Sequence, residues 1–229
     1  MRKLKFSETT DASIEPSLGH RFVFGITRPY VEDKVILDVG CWTGSYISLI
    51  VNANSHMVVG IDIEKRALKV AKSATLNANF IMASVFNMPF RENTFDVITF
   101  WTVIEHLPVN KELNALCEIK RVLKKGGKLF MSTENDHILS KLLDPAYFLA
   151  GHRHYSIRRL AQLLTSANFK LENYFIKEGL FRCINLMIFY IFKHVLKKPL
   201  RRSIFGNLAR SEYQRRGFNT LFIIASKTH

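Results

Sequence analysis

The chain has 229 residues, 48% apolar and 23% charged, which suits one well-buried domain with an elaboration and excludes two large domains or a disordered chain. Its formal net charge of +14 points to an anionic partner, whether nucleic acid, an acidic membrane surface or a phosphorylated substrate. Residues 1–20 are polar and lack an apolar stretch, so no secretory signal is expected; Cys41, Cys117 and Cys183 lack any CxxC pairing and read as reduced thiols of a cytoplasmic protein.

Residues 1–33 are expected to form an N-terminal helical cap, and 34–229 one domain. Val35-Ile36-Leu37 begins a first strand, closed by Asp38-Val39-Gly40. A helix is expected over 44–54, a second strand over 57–61, and a surface helix over 64–76 with Leu68, Ala71 and Leu76 inward. Residues 79–83 read as a third strand. Residues 95–100 are almost continuously apolar and read as a fourth, covered on both faces. A helix over 111–124 should stop at Gly126-Gly127, and a fifth strand follows over 128–132. This alternation implies a parallel sheet with right-handed crossovers. Ser156 caps a helix running to residue 167, and strands are expected over 170–177 and 218–226. Residues 178–217 are far longer than a hairpin connection needs and read as an insertion.

The sharpest signal is Asp38-Val39-Gly40-Cys41-Trp42-Thr43-Gly44, where a strand runs through a two-glycine turn into a helix. Glycine permits the tight turn and a close ligand approach, and in open parallel sheets ligands bind beyond the carboxyl ends of the strands. The pattern is neither GxGxxG nor a P-loop, which disfavours a dinucleotide dehydrogenase and a nucleotide triphosphatase. Asp62 ends the second strand, where a carboxylate can accept hydrogen bonds from both hydroxyls of a ribose. Alone it would read as a helix cap; with the glycine turn, the ligand reading is the better one.

These residues resemble the class I S-adenosylmethionine (SAM)-dependent methyltransferases, in particular the type 11 subgroup. The resemblance rests on the 38–44 loop, Asp62, Ser84-Val85-Phe86-Asn87-Met88-Pro89, Phe95-Asp96-Val97-Ile98, Val103-Ile104-Glu105-His106-Leu107 and Arg121-Val122-Leu123-Lys124-Lys125-Gly126-Gly127. It implies a Rossmann-like α/β fold: a seven-stranded, mostly parallel sheet with the last strand antiparallel, helices on both faces and a helical insertion before the last strand. It implies SAM as cofactor, with Gly40, Cys41 and Gly44 against the methionyl part and Asp38 holding the loop and the amino group. Asp62 would take the ribose, Ile63 would flank the adenine, and Ser84 and Val85 would meet its edge, where many relatives carry Asp in place of Ser84. Phe100 and Trp101 would wall the sulfonium, although a Trp there is equally a normal core residue.

Methyl transfer is an in-line displacement at a carbon activated by the sulfonium, so the protein mainly aligns the nucleophile and excludes water. A base is needed only where a hydroxyl nucleophile loses its proton. Glu105 and His106, after the fourth strand, are one pair of candidates, and a His titrating near ~6.5 suits the task. His152-Arg153-His154-Tyr155, in the linker after the fifth strand, adds His154 and Tyr155. Quinone O-methyltransferases, which this stretch also resembles, hold a divalent metal here. Thr102 stands in place of their first carboxylate, so no metal is expected.

Residues 180–217 carry nine basic residues against one acidic residue, Glu212. Residues 184–192 are almost wholly apolar but well short of the ~20 needed to span a bilayer. With the cations that follow, the stretch 182–202 suits an anionic membrane interface; a lid over a hydrophobic acceptor tail or a dimer contact remain alternatives. Aromatics and charges are segregated here, which weakens a nucleic-acid reading. The sequence thus supports methyl transfer to a small or lipid-linked acceptor, of glycan or isoprenoid type, by a cytoplasmic protein peripheral to the inner membrane face. An RNA methyltransferase and a non-catalytic SAM-binding regulator are the alternatives.

Overall fold

A computed structural model describes residues 15–149, 151–192, 196–197 and 205–228. Seven strands form one sheet: β1 (Val35–Val39), β2 (Met57–Asp62), β3 (Asn79–Met82), β4 (Phe95–Trp101), β5 (Leu123–Glu134), β6 (Phe169–Lys177) and β7 (Thr220–Lys227), in the order β3-β2-β1-β4-β5-β7-β6. The first five pair in parallel, and β7 runs antiparallel to both β5 and β6. The helices are α1 (Leu18–Thr27), α2 (Ile47–Ile50), α3 (Lys65–Ala74), α4 (Glu112–Val122), α5 (Ile138–Leu142), α6 (Pro145–Leu149), α7 (Ile157–Ser166), α8 (Leu180–Tyr190) and α9 (Gly206–Glu212).

Strand side chains alternate between the two faces, so each face builds its own core. Leu37, Ile98, Phe100 and Met131 pack with Leu116 and Ile119 of α4 and Leu160 and Leu164 of α7. Ile36, Val97, Phe130 and Phe222 pack on the other side with Val23 of α1, Ile47 and Ile50 of α2 and Leu68 of α3. Helix α1 is thereby joined to the sheet, with the Phe22 ring 5.2 Å from Phe222 and 4.7 Å from Tyr213. The remainder of the expected N-terminal cap, residues 1–14, lies outside the described residues.

Several element ends differ from the sequence reading. Helix α3 stops at Ala74, so Leu76, expected to face inward, is 88% exposed. Only Ile47–Ile50 of the expected 44–54 helix is helical, because left-handed turns at Gly44 (φ +77°) and Asn54 (φ +54°) close it at both ends. Helix α4 ends at Val122 instead of continuing to 124. Buried Leu123 pairs with Phe95, and Lys124 reaches both Asp96 oxygens at 2.9 Å, drawing the chain into the sheet ahead of the glycines. Ser156 caps α7 as its sequence position predicts, accepting the Arg159 amide at 3.2 Å.

The insertion holds α8 and α9. The Glu212 carboxylate at the end of α9 accepts the amides of Gly179 (3.0 Å), Phe181 (2.9 Å) and Arg182 (3.0 Å), satisfying the free N–H groups that open α8. Buried Glu178 accepts the Thr220 hydroxyl (2.6 Å) and the Tyr213 hydroxyl and pairs with Arg182 (3.5 Å). Arg182 therefore pairs with a buried carboxylate while its own side chain stays 41% exposed. Lys193, Lys198, Arg201 and Arg202 lie outside the described residues.

Candidate cofactor and acceptor site

The loop after β1 is shaped by its glycines. Gly40 (φ +79°) and Gly44 (φ +77°) sit in the left-handed region, and a Cβ on Gly40 would stand 2.4 Å from Cγ2 of Val103. The amides of Gly40 and Cys41 both donate to the Ile61 carbonyl, at 2.8 and 3.0 Å. Asp62 Oδ2 accepts the Trp42 amide (2.9 Å) and Oδ1 the Glu64 amide (2.8 Å). Each oxygen keeps lone-pair capacity for an outside donor. Two non-glycine residues hold left-handed conformations here, Trp42 (φ +49°) beyond β1 and Thr102 (φ +51°) beyond β4. Strain of that kind concentrates where function over-determines the backbone.

Asp38, Gly40, Gly44, Asp62 and Ile63 come together at the carboxyl edge of β1 and β2. Asp38 is buried and accepts the Thr99 hydroxyl at 2.7 Å. Burial raises its carboxyl to about 7, with Thr99 opposing and the Asp62 charge reinforcing. Ile63 and Met82 are 75% and 61% exposed, an uncovered apolar surface beside Asp62, which pairs with Met82 in the sheet. Two carboxylates, left-handed glycine turns and an open apolar ledge fit the amino group, sulfonium, ribose and adenine of SAM.

Other residues named from the sequence lie differently. The Cys41 side chain is buried beneath the loop, its Sγ packed over Gly60, so only its main chain belongs to the turn. Ser84 Oγ accepts the Phe86 amide (3.3 Å), and Val85 joins the core. The Phe100 ring is wholly buried between the sheet and its helices, whereas Trp101 faces the opposite side and meets Tyr46 edge-on at 5.7 Å.

The two segments named for acid–base chemistry form a single cluster. The turn Ile104–His106 after β4 and the linker before α7 meet where the rings of His106 and His152 cross edge-to-face, 4.5 Å between centroids. Glu105 is buried and accepts the Thr133 hydroxyl at 2.9 Å; burial raises its carboxyl to about 7 against its hydrogen bonds. His106 keeps an exposed edge, yet desolvation by its neighbours, with His152 and Arg153 beside it, lowers it to about 4. This corrects the expectation of a His106 titrating near ~6.5: in this pair the carboxyl, not the imidazole, changes charge near neutrality.

His154 has both ring nitrogens engaged, Nε2 at 3.1 Å from Asp144 Oδ2 and Nδ1 at 3.1 Å from the Asn135 carbonyl. The Tyr155 hydroxyl donates to Glu112 at 3.0 Å, and burial raises its pKa. Arg153 donates to Glu112 and to the carbonyls of Ile104 (3.0 Å) and Leu107 (2.6 Å). Glu112, Arg153 and Tyr155 thus fasten the turn to the linker. Sequence reasoning missed Glu112 and Asp144. The latter precedes Pro145 like an ordinary helix cap, and its Oδ1 does accept the Ala146 amide at 2.8 Å. Despite burial, His152, His154 and that amide hold Asp144 well below the usual carboxylate range.

His152, Tyr147, Lys141 and Arg159 line a surface cleft of about 360 Å³ at this cluster. A larger cleft of about 850 Å³ lies along α4, between Phe86, Leu113, Cys117 and Arg121, and shares no lining residue with it. Among the described residues no group of three His, Cys, Asp or Glu side chains is arranged to hold a metal ion.

An open, mostly parallel sheet with an antiparallel β7, and a glycine turn and Asp62 at the carboxyl ends of β1 and β2, defines a Rossmann-like domain built for a nucleoside cofactor. Residues 37–131 match the family described as "Methyltransferase domain", which is what the cofactor edge and the first five strands resemble. It is 36% identical over 110 residues to an uncharacterized protein of Methanocaldococcus jannaschii, covering 48% of this chain and 45% of that one. It is 32% identical over 115 residues to the ubiquinone biosynthesis O-methyltransferase of Idiomarina loihiensis, covering 48% and 46%. The chain thus spans about half the length of the curated relatives it matches. A solved SAM-dependent methyltransferase from Methanosarcina mazei shares the fold with a TM-score of 0.64 at 21% identity, covering 89% of this chain and 97% of that one.

Proposed function

We propose that this protein transfers the methyl group of SAM to a hydroxyl of a small or lipid-linked acceptor. The observation that supports the reading is that β4, which leads into Glu105 and His106, pairs with β1, and that Val103 just ahead of them packs against Gly40 of the glycine turn, so a methyl donor on that turn and a proton-accepting group after β4 would be neighbours. The name of the O-methyltransferase relatives supports oxygen as the methylated atom. Asp38 and the 40–44 turn then hold the methionyl end of SAM, Asp62 the ribose, and Ile63, Ser84 and Val85 the adenine, with Phe100 and Trp101 stiffening the end of β4. SAM brings an activated methyl, while the chain orients the acceptor and keeps water out.

Helix α8 supports an acceptor that resides in lipid. Only Cys183 of it is buried, and Leu180, Met187, Phe189 and Ile191 at its end are exposed. Asn219 joins it to α5, accepting from Cys183 Sγ (3.3 Å) and the Ser140 hydroxyl (2.9 Å), and Leu142, Phe148 and Leu149 of α5 and α6 are also exposed. No helix among the described residues is long and apolar enough to cross a membrane. The apolar surface, with the basic residues that follow α8 in sequence, suits reversible contact with an anionic cytoplasmic leaflet.

Mass spectrometry after incubation with methyl-labelled SAM should place the label in lipid or glycan extracts. Label confined to RNA would replace this reading with RNA methylation, and SAM binding with label in none would leave a regulator. Anionic vesicles should co-sediment the protein at low salt and release it as salt rises; a protein that ignores them would refute the membrane contact.

A further inference from the structure

Resting on the reading of methyl transfer to a hydroxyl, we propose that His152, oriented by Asp144, is the proton acceptor of the reaction. Asp144 is buried immediately ahead of α6. Its Oδ1 is fixed by the Ala146 amide at 2.8 Å, and its Oδ2 faces His152 Nδ1 at 3.4 Å. The main chain of His152 is tied to the same helix, its amide donating to the Ala146 carbonyl at 3.2 Å. At 3.4 Å the contact is of ion-pair range and not a hydrogen bond, and Nδ1 is buried without a hydrogen-bond partner; a slight turn of the ring onto this fixed carboxylate would hold a proton on Nδ1 and leave Nε2 as the basic nitrogen. Nε2 of His152 makes no hydrogen bond among the described residues, whereas both nitrogens of His154 are engaged.

The placement is that of a reacting group. His152 lines the cleft of about 360 Å³, and its ring meets His106 at the turn that ends β4. The alternatives in the cluster point elsewhere: Glu105 to Thr133, and Tyr155 to Glu112. The charged and titratable groups facing His152 are Asp144 ahead of α6, Glu105 and His106 on the turn, and Arg153 and His154 in its own linker. Glu112 of α4, Lys141 of α5, Tyr147 of α6 and Arg159 of α7 border the same cleft.

In the step itself, the acceptor oxygen attacks the methyl carbon as the carbon–sulfur bond breaks. The bonding electrons leave with sulfur to give S-adenosylhomocysteine, the O–C bond forms, and the hydroxyl proton passes to His152 Nε2. Asp144 is a positioning residue that stabilises the imidazolium. The proton then returns to solvent through the cleft.

Two measurements on the full chain decide the matter. The first needs no acceptor: the ring nitrogen NMR signals of neutral His152 in protein saturated with S-adenosylhomocysteine, wild type against Asp144→Asn. The wild type should carry its proton on Nδ1 and the variant should move toward the Nε2–H form, and identical signals in the two overturn the dyad. The second follows methyl transfer from SAM to a panel of phenols. His152→Gln should lower kcat by about 100-fold at pH 7 with the KM for SAM within about two-fold, and the deficit should shrink as the pH approaches the ~10 of a phenol. Equal rates across that range overturn the inference while leaving methyl transfer intact. A wild type that binds SAM and methylates no hydroxyl compound overturns the functional reading itself, and this inference with it.

Discussion

The carboxylate of Asp62 accepts the Trp42 amide at 2.9 Å, so the residue that ends β2 also sets the loop that follows β1. Removing it takes away the anchor of the glycine turn and, on the proposed reading, a ribose partner as well. Hydrogen bonds to a charged acceptor contribute roughly 1.5–3 kcal/mol each, so Asp62→Ala should weaken SAM and S-adenosylhomocysteine by at least ~10-fold, with Asp62→Asn between. Calorimetry showing unchanged affinity would remove Asp62 from the site.

If Asp38 holds the methionyl end of SAM as proposed, its raised carboxyl gives cofactor binding a pH dependence. Its carboxyl sits at about 7, so below neutrality it is protonated and offers no charge to a cationic ligand. SAM affinity should therefore rise with pH up to about 7 and level off above it, and the slope should vanish in Asp38→Asn. The sign for stability is opposite. The folded carboxyl titrates above the ~3.9 of an unfolded Asp, so the stabilisation present below that value is lost as pH rises through about 7. Ligand-free Asp38→Asn should melt higher than wild type at pH 8, by ~2 °C or more, and level with it near pH 4. Parallel melting curves at both pH values would contradict this.

A Cβ on Gly40 would meet Val103 Cγ2 at 2.4 Å in a backbone conformation that L-residues rarely adopt. Gly40→Ala should cost about 1–3 kcal/mol in chemical denaturation and weaken SAM binding. Adding Val103→Ala should restore part of the loss, since it clears the collision but not the φ strain. A double variant no better than the single would show that Val103 is not the obstacle.

Three amides opening α8 converge on Glu212. Glu212→Ala should lower stability by about 1–3 kcal/mol in urea, with Glu212→Gln losing less, because an amide oxygen still accepts but brings no charge to the helix terminus. An unaltered midpoint for Glu212→Ala would mean that water replaces the carboxylate without loss.

The α/β alternation, all seven strands and the cofactor loop were legible from residue order. The reason is that they rest on local physics: apolar runs bounded by turns, glycines where φ must be positive, and a carboxylate at a strand end. Element ends were less so. The helix ending at Val122 depends on where Leu123 and Lys124 find Phe95 and Asp96, partners brought close only by the sheet. Glu212 as a cap for α8, and Arg182 as the partner of buried Glu178, were likewise invisible in a charge count. The cluster proposed for acid–base chemistry depended most on tertiary structure. Glu105, His106, His154 and Tyr155 could all be named from the sequence. Their states follow from burial and from Asp144, Glu112 and Thr133, which arrive on other elements. Sequence names a titratable group; the desolvation and neighbouring charge that set its proton affinity exist only once β4, β5 and the linker before α7 are folded side by side.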